Sequence, residues 1–193
     1  MEHNQTLTIG IGGGSGSGKT TLSFELKQKL SMYRVEIFHM DRYYKAERPI
    51  AKAPFTNQLF EDFNHPDAVH IQRLIEDVDK AIHSGEYDVI IIEGFLLYQF
   101  EQLRNLLQLK VFVDCPADER MIRRNRRFTE KGHSEQEVLQ EYLQLVRYRH
   151  DEFVEPTRWY ADVVLNGSIE GNLGCSVVTE WILAKIQENR IQP

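Results

Sequence analysis

The stretch Gly13-Gly14-Ser15-Gly16-Ser17-Gly18-Lys19-Thr20 decides how the rest of the chain is read. It fits the pattern G-x-x-x-x-G-K-[ST] at every fixed position. Glycines let the backbone curl so that several N–H groups converge on one anion. The positive end of a following helix adds attraction. Lys19 can then neutralise β- and γ-phosphates, and the Thr20 hydroxyl can ligate Mg²⁺. The context is the one this chemistry needs. The apolar run Leu7-Thr8-Ile9-Gly10-Ile11 comes before it, and Leu22, Leu26 and Leu30 behind it predict a helix from about Lys19 to Ser31. Gly13, Gly14, Ser15, Gly16, Ser17, Gly18, Lys19, Thr20 and Thr21 are therefore the candidate triphosphate-binding residues. No register gives G-x-G-x-x-G, so a dinucleotide site is not supported.

Working outward, four more short apolar runs follow: Val35-Glu36-Ile37-Phe38, Val89-Ile90-Ile91-Ile92, Val111-Phe112-Val113 and Val163-Val164-Leu165. Each is bounded by polar or turn residues, as strands are. Val89 to Ile92 does not alternate, which predicts burial on both faces of a parallel sheet. Helical spacing predicts helices over Val69 to His83, Pro116 to about Lys131, Ser134 to about Phe153 and Asn172 to about Gln187. Alternating strands and helices define a three-layer α/β fold. One connection breaks the rhythm. Residues 41–66 show no clear period but hold Tyr43, Tyr44, Phe55, Phe60 and Phe63, which reads as a structureless substrate-binding loop.

Composition sets the bounds. The chain has 193 residues, 41% of them apolar and 27% charged, as in one globular domain covering 1–193. No run of 18 apolar residues occurs, so no membrane partner is expected. Met1-Glu2-His3-Asn4-Gln5 lacks the blocks of a leader, and two cysteines suit a reducing cytoplasm. A net charge of −6 argues against a nucleic-acid partner, so any polyanion site must be built locally. The histidines and cysteines show no zinc-ligand spacing. Trp159 and Trp181 read as packing residues, and Cys115 and Cys175 as inert thiols. His65 either supports the substrate loop or forms a local turn with Pro66.

The reaction is narrowed by what is missing and by acids at strand ends. No Asn is followed by Lys, and neither H-R-D nor D-F-G occurs, so the guanine-reading and protein-kinase patterns are absent. Ligands of open parallel sheets sit outside the carboxyl ends of the strands, where Asp41 and Glu93 fall. Asp41 suits the base that accepts a proton from an attacking hydroxyl, and Glu93 suits Mg²⁺. Asp114 ends a strand too, but Pro116 nearby favours a turn or cap. Arg120, Arg123, Arg124, Arg127 and Lys131 fall on one helix face. That stripe reads as a lid over residues 120–133, as a solvated face, or as an RNA-binding patch. Gly132 would permit a hinge.

The assembled motifs resemble the uridine kinase family of P-loop kinases, which includes the nicotinamide riboside kinases. The matching pieces are Gly13 to Thr20, Asp41-Arg42-Tyr43-Tyr44-Lys45, Phe63-Asn64-His65-Pro66-Asp67-Ala68, Ile92-Glu93-Gly94-Phe95-Leu96-Leu97, Phe112-Val113-Asp114, Arg123-Arg124, and Pro156-Thr157 with Tyr160-Ala161-Asp162-Val163-Val164. The resemblance implies a P-loop kinase fold with five parallel strands in the order 2-3-1-4-5 and an arginine-bearing lid. It implies ATP and Mg²⁺, and transfer of the γ-phosphate to the 5′-hydroxyl of a nucleoside, with uridine or cytidine as default. Lys19, Asp41, Arg123, Arg124 and Arg127 are then the catalytic candidates. Asp41, Tyr44, Asn64, His65, Phe95 and Tyr98 are the substrate-binding candidates, and Thr20, Glu93 and Asp41 the metal ligands. Ser84-Gly85-Glu86-Tyr87 leads straight into the Glu93 strand, where the family has a base-reading hairpin. Asn64, His133 and Glu141 also replace usual family residues. A nicotinamide riboside kinase, a nucleoside monophosphate kinase and an ATPase switch stand as alternatives. A homo-oligomer is left open.

Overall fold

A computed structural model describes residues 6–168 and 173–191. Met1 to Gln5, and Asn172 at the expected start of the last helix, lie outside the described residues. Strand β1 (Leu7–Gly12) runs into the phosphate loop and α1 (Lys19–Lys29). Then come β2 (Val35–His39), a 3₁₀ turn (Met40–Tyr43), β3 (Ile50–Lys52), β4 (Leu59–Glu61) and a second 3₁₀ turn (Pro66–Ala68). Helix α2 (Ile71–Ser84), β5 (Val89–Glu93), α3 (Glu101–Leu106) and β6 (Leu109–Asp114) complete the central region. Next come α4 (Ala117–Thr129), α5 (Glu135–Glu141) and α6 (Arg147–Arg149), with π-helical turns over Tyr142–Val146 and His150–Val154. Strand β7 (Val163–Asn166) and α7 (Leu173–Ile191) close the chain.

The main sheet is ordered β2-β5-β1-β6-β7, and every pairing in it is parallel. Strands β3 and β4 stand apart as a small antiparallel pair, so the five strands of the main sheet read 2-3-1-4-5. Sheet alternation divides the core. Leu7, Ile9, Ile11, Val89 and Ile91 face α1 and α7, whereas Ile90, Ile92 and Phe112 face α2 and the segment around Leu97. The apolar run at β5 is buried on both faces, as its lack of alternation required.

Residues 41–66 are not structureless. Ile50 pairs with Glu61, Ala51 with Phe60 and Lys52 with Leu59. Asn57 turns the chain at φ 61°, and Ala51 and Ala53 are buried beneath the pair. The alternation was present in Ile50-Ala51-Lys52-Ala53, but its inward residues are alanines and its strands are three residues long. Trp159 is also corrected: it is 89% exposed on the 3₁₀ turn Glu155–Tyr160, whereas Trp181 packs on the core. Cys115 and Cys175 are buried, and burial raises both thiol pKa values. Among the described residues, no helix is long and apolar enough to cross a membrane.

Candidate active site

The parallel register sets Ile11, Glu93 and His39 level at the carboxyl end of the sheet. The chain leaves β1 there and curls back on itself. Gly13 has φ 131° and Gly16 has φ 83°, conformations that disfavour any side chain. A Cβ at Gly13 would also collide with the Val113 carbonyl, and one at Gly16 would lie 2.5 Å from the Arg120 carbonyl. The Ser17 N–H donates to the Gly14 carbonyl at 3.1 Å, and Lys19 Nζ donates to the same oxygen at 2.9 Å. Lys19 is buried, and that burial lowers its pKa against the pull of Glu93 and Asp41. The Ser17 hydroxyl is buried without a hydrogen-bond partner among the described residues. A curled loop with a buried cation and left-handed glycines fits an anionic phosphate chain.

Two carboxylates face this loop. Glu93 ends β5, accepts from the Thr20 hydroxyl at 3.1 Å on Oε1, and has His39 Nδ1 at 2.7 Å from the same oxygen. Asp41 sits on the turn after β2. The residue is exposed by surface area, but it lies within a concave cleft. Desolvation there, then repulsion from Glu93, raises its pKa, while Lys19 and Arg127 oppose the rise. Thr20, Glu93 and Asp41 form an oxygen donor set suited to a hard cation that keeps phosphate ligands as well. Among the described residues, no group of three or more His, Cys, Asp or Glu forms a protein-only metal cage.

The cleft has a volume of about 560 Å³ and a lining of two chemical kinds. Ser15, Lys19 and Thr20 of the phosphate loop line it, and Asp41 lines the same space. Tyr44, Phe60, Phe63, Phe95 and Phe128 supply an aromatic lining, joined by Asn64, His133, Glu137, Val138 and Glu141. Tyr44 meets Phe63 edge to face at 5.3 Å. The other aromatics of the 41–66 stretch go elsewhere. Tyr43 donates to Asp77 at 3.0 Å, and Phe55 lies exposed 5.8 Å from Tyr148. Glu137 and Val138 of α5 escaped sequence reasoning, although they share one side of the helix with Glu141, which stands at a usual family substrate position.

The remaining candidates separate. Arg127 lines the cleft and donates to the Ser15 hydroxyl at 3.1 Å. Arg124 also lines it, but pairs with Glu141 at 2.8 Å and stacks 4.5 Å above the Phe128 ring. Arg123 turns away, donating to the Gly167 carbonyl at 2.7 Å and pairing with Glu119 at 3.2 Å. Tyr98 does not reach the cleft. It is 1% exposed beneath the sheet, and its one hydroxyl proton is shared between the carbonyls of Gly10 and Val111, at 2.9 and 2.8 Å from the hydroxyl oxygen. His65 accepts the Asp67 N–H at 3.1 Å and packs edge-on against Phe153, the local-turn arrangement. Thr21 is exposed on α1 outside the cleft lining. Asp114 pairs with Arg158 at 3.1 Å.

A glycine-curled phosphate loop, a buried lysine and strand-end carboxylates on a 2-3-1-4-5 sheet define a P-loop phosphotransferase. The comparisons narrow the class. Residues 63–170 match the Phosphoribulokinase / Uridine kinase family. A uridine kinase from Anoxybacillus flavithermus is 33% identical over 96% of this chain and 97% of its own. One from Chloroflexus aurantiacus is 35% identical over 94% and 96%. Among solved structures, one described as a possible uridine kinase from Bacillus stearothermophilus aligns with a TM-score of 0.50 and 25% identity, covering 83% of this chain and 89% of its own. Another, named for a fructose transport system kinase from a Silicibacter species, has a TM-score of 0.64 at 16% identity, covers 83% and 90%, and supports the fold. The chain belongs to the phosphoribulokinase/uridine kinase family and is a kinase.

Proposed function

We propose that this kinase transfers the γ-phosphate of ATP to the 5′-hydroxyl of a nucleoside. One observation carries the reading: a single cleft is lined by both the phosphate loop and a set of aromatic rings, and Asp41 lines it with them. An ATPase switch has no need of an acceptor compartment. A riboside lying against Phe63 and Phe95 would present its hydroxyl to Asp41. Asp41 takes the hydroxyl proton as the new O–P bond forms and ADP leaves. Lys19 and Arg127 stabilise charge on the transferring group, and Arg124 does so once released from Glu141. Thr20, Glu93 and Asp41 would hold Mg²⁺, which supplies neutralisation of phosphate charge.

A second reading concerns the base. Glu137 and Glu141 line the same cleft as Phe60, Phe63, Phe95 and Phe128, and the chain lacks the family's base-reading hairpin before β5. The Glu137 carboxylate, which has no ion-pair partner among the described residues, and the ring faces favour a cationic base. Glu141 adds to this once Arg124 leaves it. This supports a pyridinium riboside such as nicotinamide riboside over uridine. Following ADP release with uridine, cytidine, nicotinamide riboside and no acceptor tests both readings. Acceptor-independent hydrolysis with no phosphorylated riboside would overturn the kinase reading. A preference for uridine over the pyridinium riboside would overturn the second.

A further inference from the structure

We propose that the ion pair between Asp62 and Arg149 is a positioning element that fixes Asn64 in the cleft and ties it to α6. The Asp62 carboxylate is fully buried, and it is not part of the cleft lining. A buried carboxylate is costly unless its oxygens are paired. Here each oxygen has a defined partner. Oδ2 accepts from Arg149 Nε at 2.8 Å, and Oδ1 accepts from the Asn64 backbone N–H at 3.0 Å. The Asp62 N–H donates in turn to the Pro49 carbonyl at 2.7 Å, which closes the base of the β3–β4 hairpin. One residue therefore joins three parts: its backbone holds the hairpin base, and its side chain holds the backbone of a cleft residue and α6.

Arg149 is held from its other side. Its guanidinium also pairs with Glu152 and lies 5.5 Å from the Phe153 ring. Phe153 packs edge-on against His65 at 5.1 Å, one residue beyond Asn64. Asn64 is thus bracketed by two attachments to the same π-helical region, one ionic and one aromatic. A shift of that region would move Asn64 with it. The pairing acts through Asn64 and touches no reacting atom, so its effect belongs in acceptor binding. Lys19, Asp41 and Glu93 lie outside the network.

The kinetic consequence rests on the riboside-kinase reading given above, but the structural one does not. Asp62→Ala removes the acceptor for the Asn64 N–H. Asp62→Asn keeps an acceptor oxygen but loses the charge facing Arg149, which retains Glu152. Arg149→Lys keeps the charge balance and removes the directed Nε donor, so it is the variant expected to keep its fold. Asp62→Asn and Arg149→Lys should raise the acceptor KM about tenfold, the effect of roughly one charge-assisted hydrogen bond. The KM for ATP should stay within twofold. Equal shifts in both KM values, or none in folded variants, would overturn the proposal. Hydrogen exchange without any substrate gives the independent arm. Protection of the Asn64 amide should fall in Asp62→Ala while that of β1 and β5 is kept. Unchanged protection of Asn64 would refute the positioning role even if no riboside proved to be a substrate. A wild-type enzyme that phosphorylates no riboside, with Asn64 protection lost in Asp62→Ala, would refute only the acceptor assignment.

Discussion

Replacing His150 by Gln should flatten the pH dependence of stability between about pH 7.5 and 5.5. His150 lies in the π turn after α6 and is 9% exposed, with its ring against Gly14 of the phosphate loop. Its Nδ1 has no hydrogen-bond partner among the described residues. Burial, then repulsion from Arg120 and Lys19, pushes its pKa down from 6.5 to about 3. One side chain opposes this: Glu155 Oε2 lies 3.3 Å from Nε2. Glu155 is half exposed, so water screens its pull, whereas the two repelling cations are buried.

The sign follows from the proton balance. Below pH 6.5 the unfolded chain binds a proton at this position that the folded chain refuses until about pH 3. Stability is therefore complete above the unfolded pKa and falls as the pH drops, by up to about 1.4 kcal/mol per pH unit. Between about pH 7.5 and 5.5 the loss is about 1.4 kcal/mol, and any folded pKa below about 4.5 gives nearly the same figure. Urea unfolding at the two pH values should thus show a wild-type midpoint that falls further than that of His150→Gln, by roughly 0.7 M for an m-value near 2 kcal/mol/M. Parallel midpoints in the two proteins would refute the argument. They would mean that Glu155 and water carry the imidazolium in the fold.

Asp41→Asn should leave ATP binding intact and lower phosphoryl transfer by about 10²-fold or more, measured as ADP release with acceptor present. Wild-type transfer by the variant would remove Asp41 from the base role. Arg127→Ala should cost about 10²-fold in kcat, while Arg123→Ala should act mainly on thermal stability, because its guanidinium serves Gly167 and Glu119. Equal kinetic losses in the two would require Arg123 to swing into the cleft during turnover. Tyr98→Phe should lower stability by about 1 kcal/mol in urea unfolding and leave the acceptor KM unchanged. A raised acceptor KM would return Tyr98 to the substrate.

What the sequence disclosed, and what it hid, follows from the range of each signal. The phosphate loop, the sheet strands and the long helices rest on local pattern: glycine spacing before Lys19, unbroken β-branched residues at β5, and one apolar face on α2. The β3–β4 hairpin was hidden because a strand buried by alanines carries little hydrophobic contrast. The arginine stripe shows the limit most clearly. Helix geometry puts positions 120, 123, 124 and 127 on one face, yet each side chain finds a different partner. Arg120 donates to the Cys115 carbonyl beside Gly14, Arg123 goes to Gly167, Arg124 to Glu141 and Arg127 to Ser15. A long cationic side chain can reach partners on several neighbouring elements, so face membership does not fix its destination.

Tyr98 was legible in a way that residue-by-residue matching to a family does not reveal. Gly10 and Gly12 occupy alternate positions of β1 and therefore share one face of the sheet. Two missing side chains on the face of a central strand leave a slot, and a buried slot must be filled or become a cavity. A Cβ at Gly12 would stand 2.5 Å from the Tyr98 ring, and one at Gly10 would stand 3.1 Å from it. The ring fills the slot, and its hydroxyl reaches the carbonyls of both flanking positions on β1 and β6. The glycines ahead of the phosphate loop thus serve packing, while those within it serve the anion. One glycine-rich run carries both signals, and only the strand period separates them.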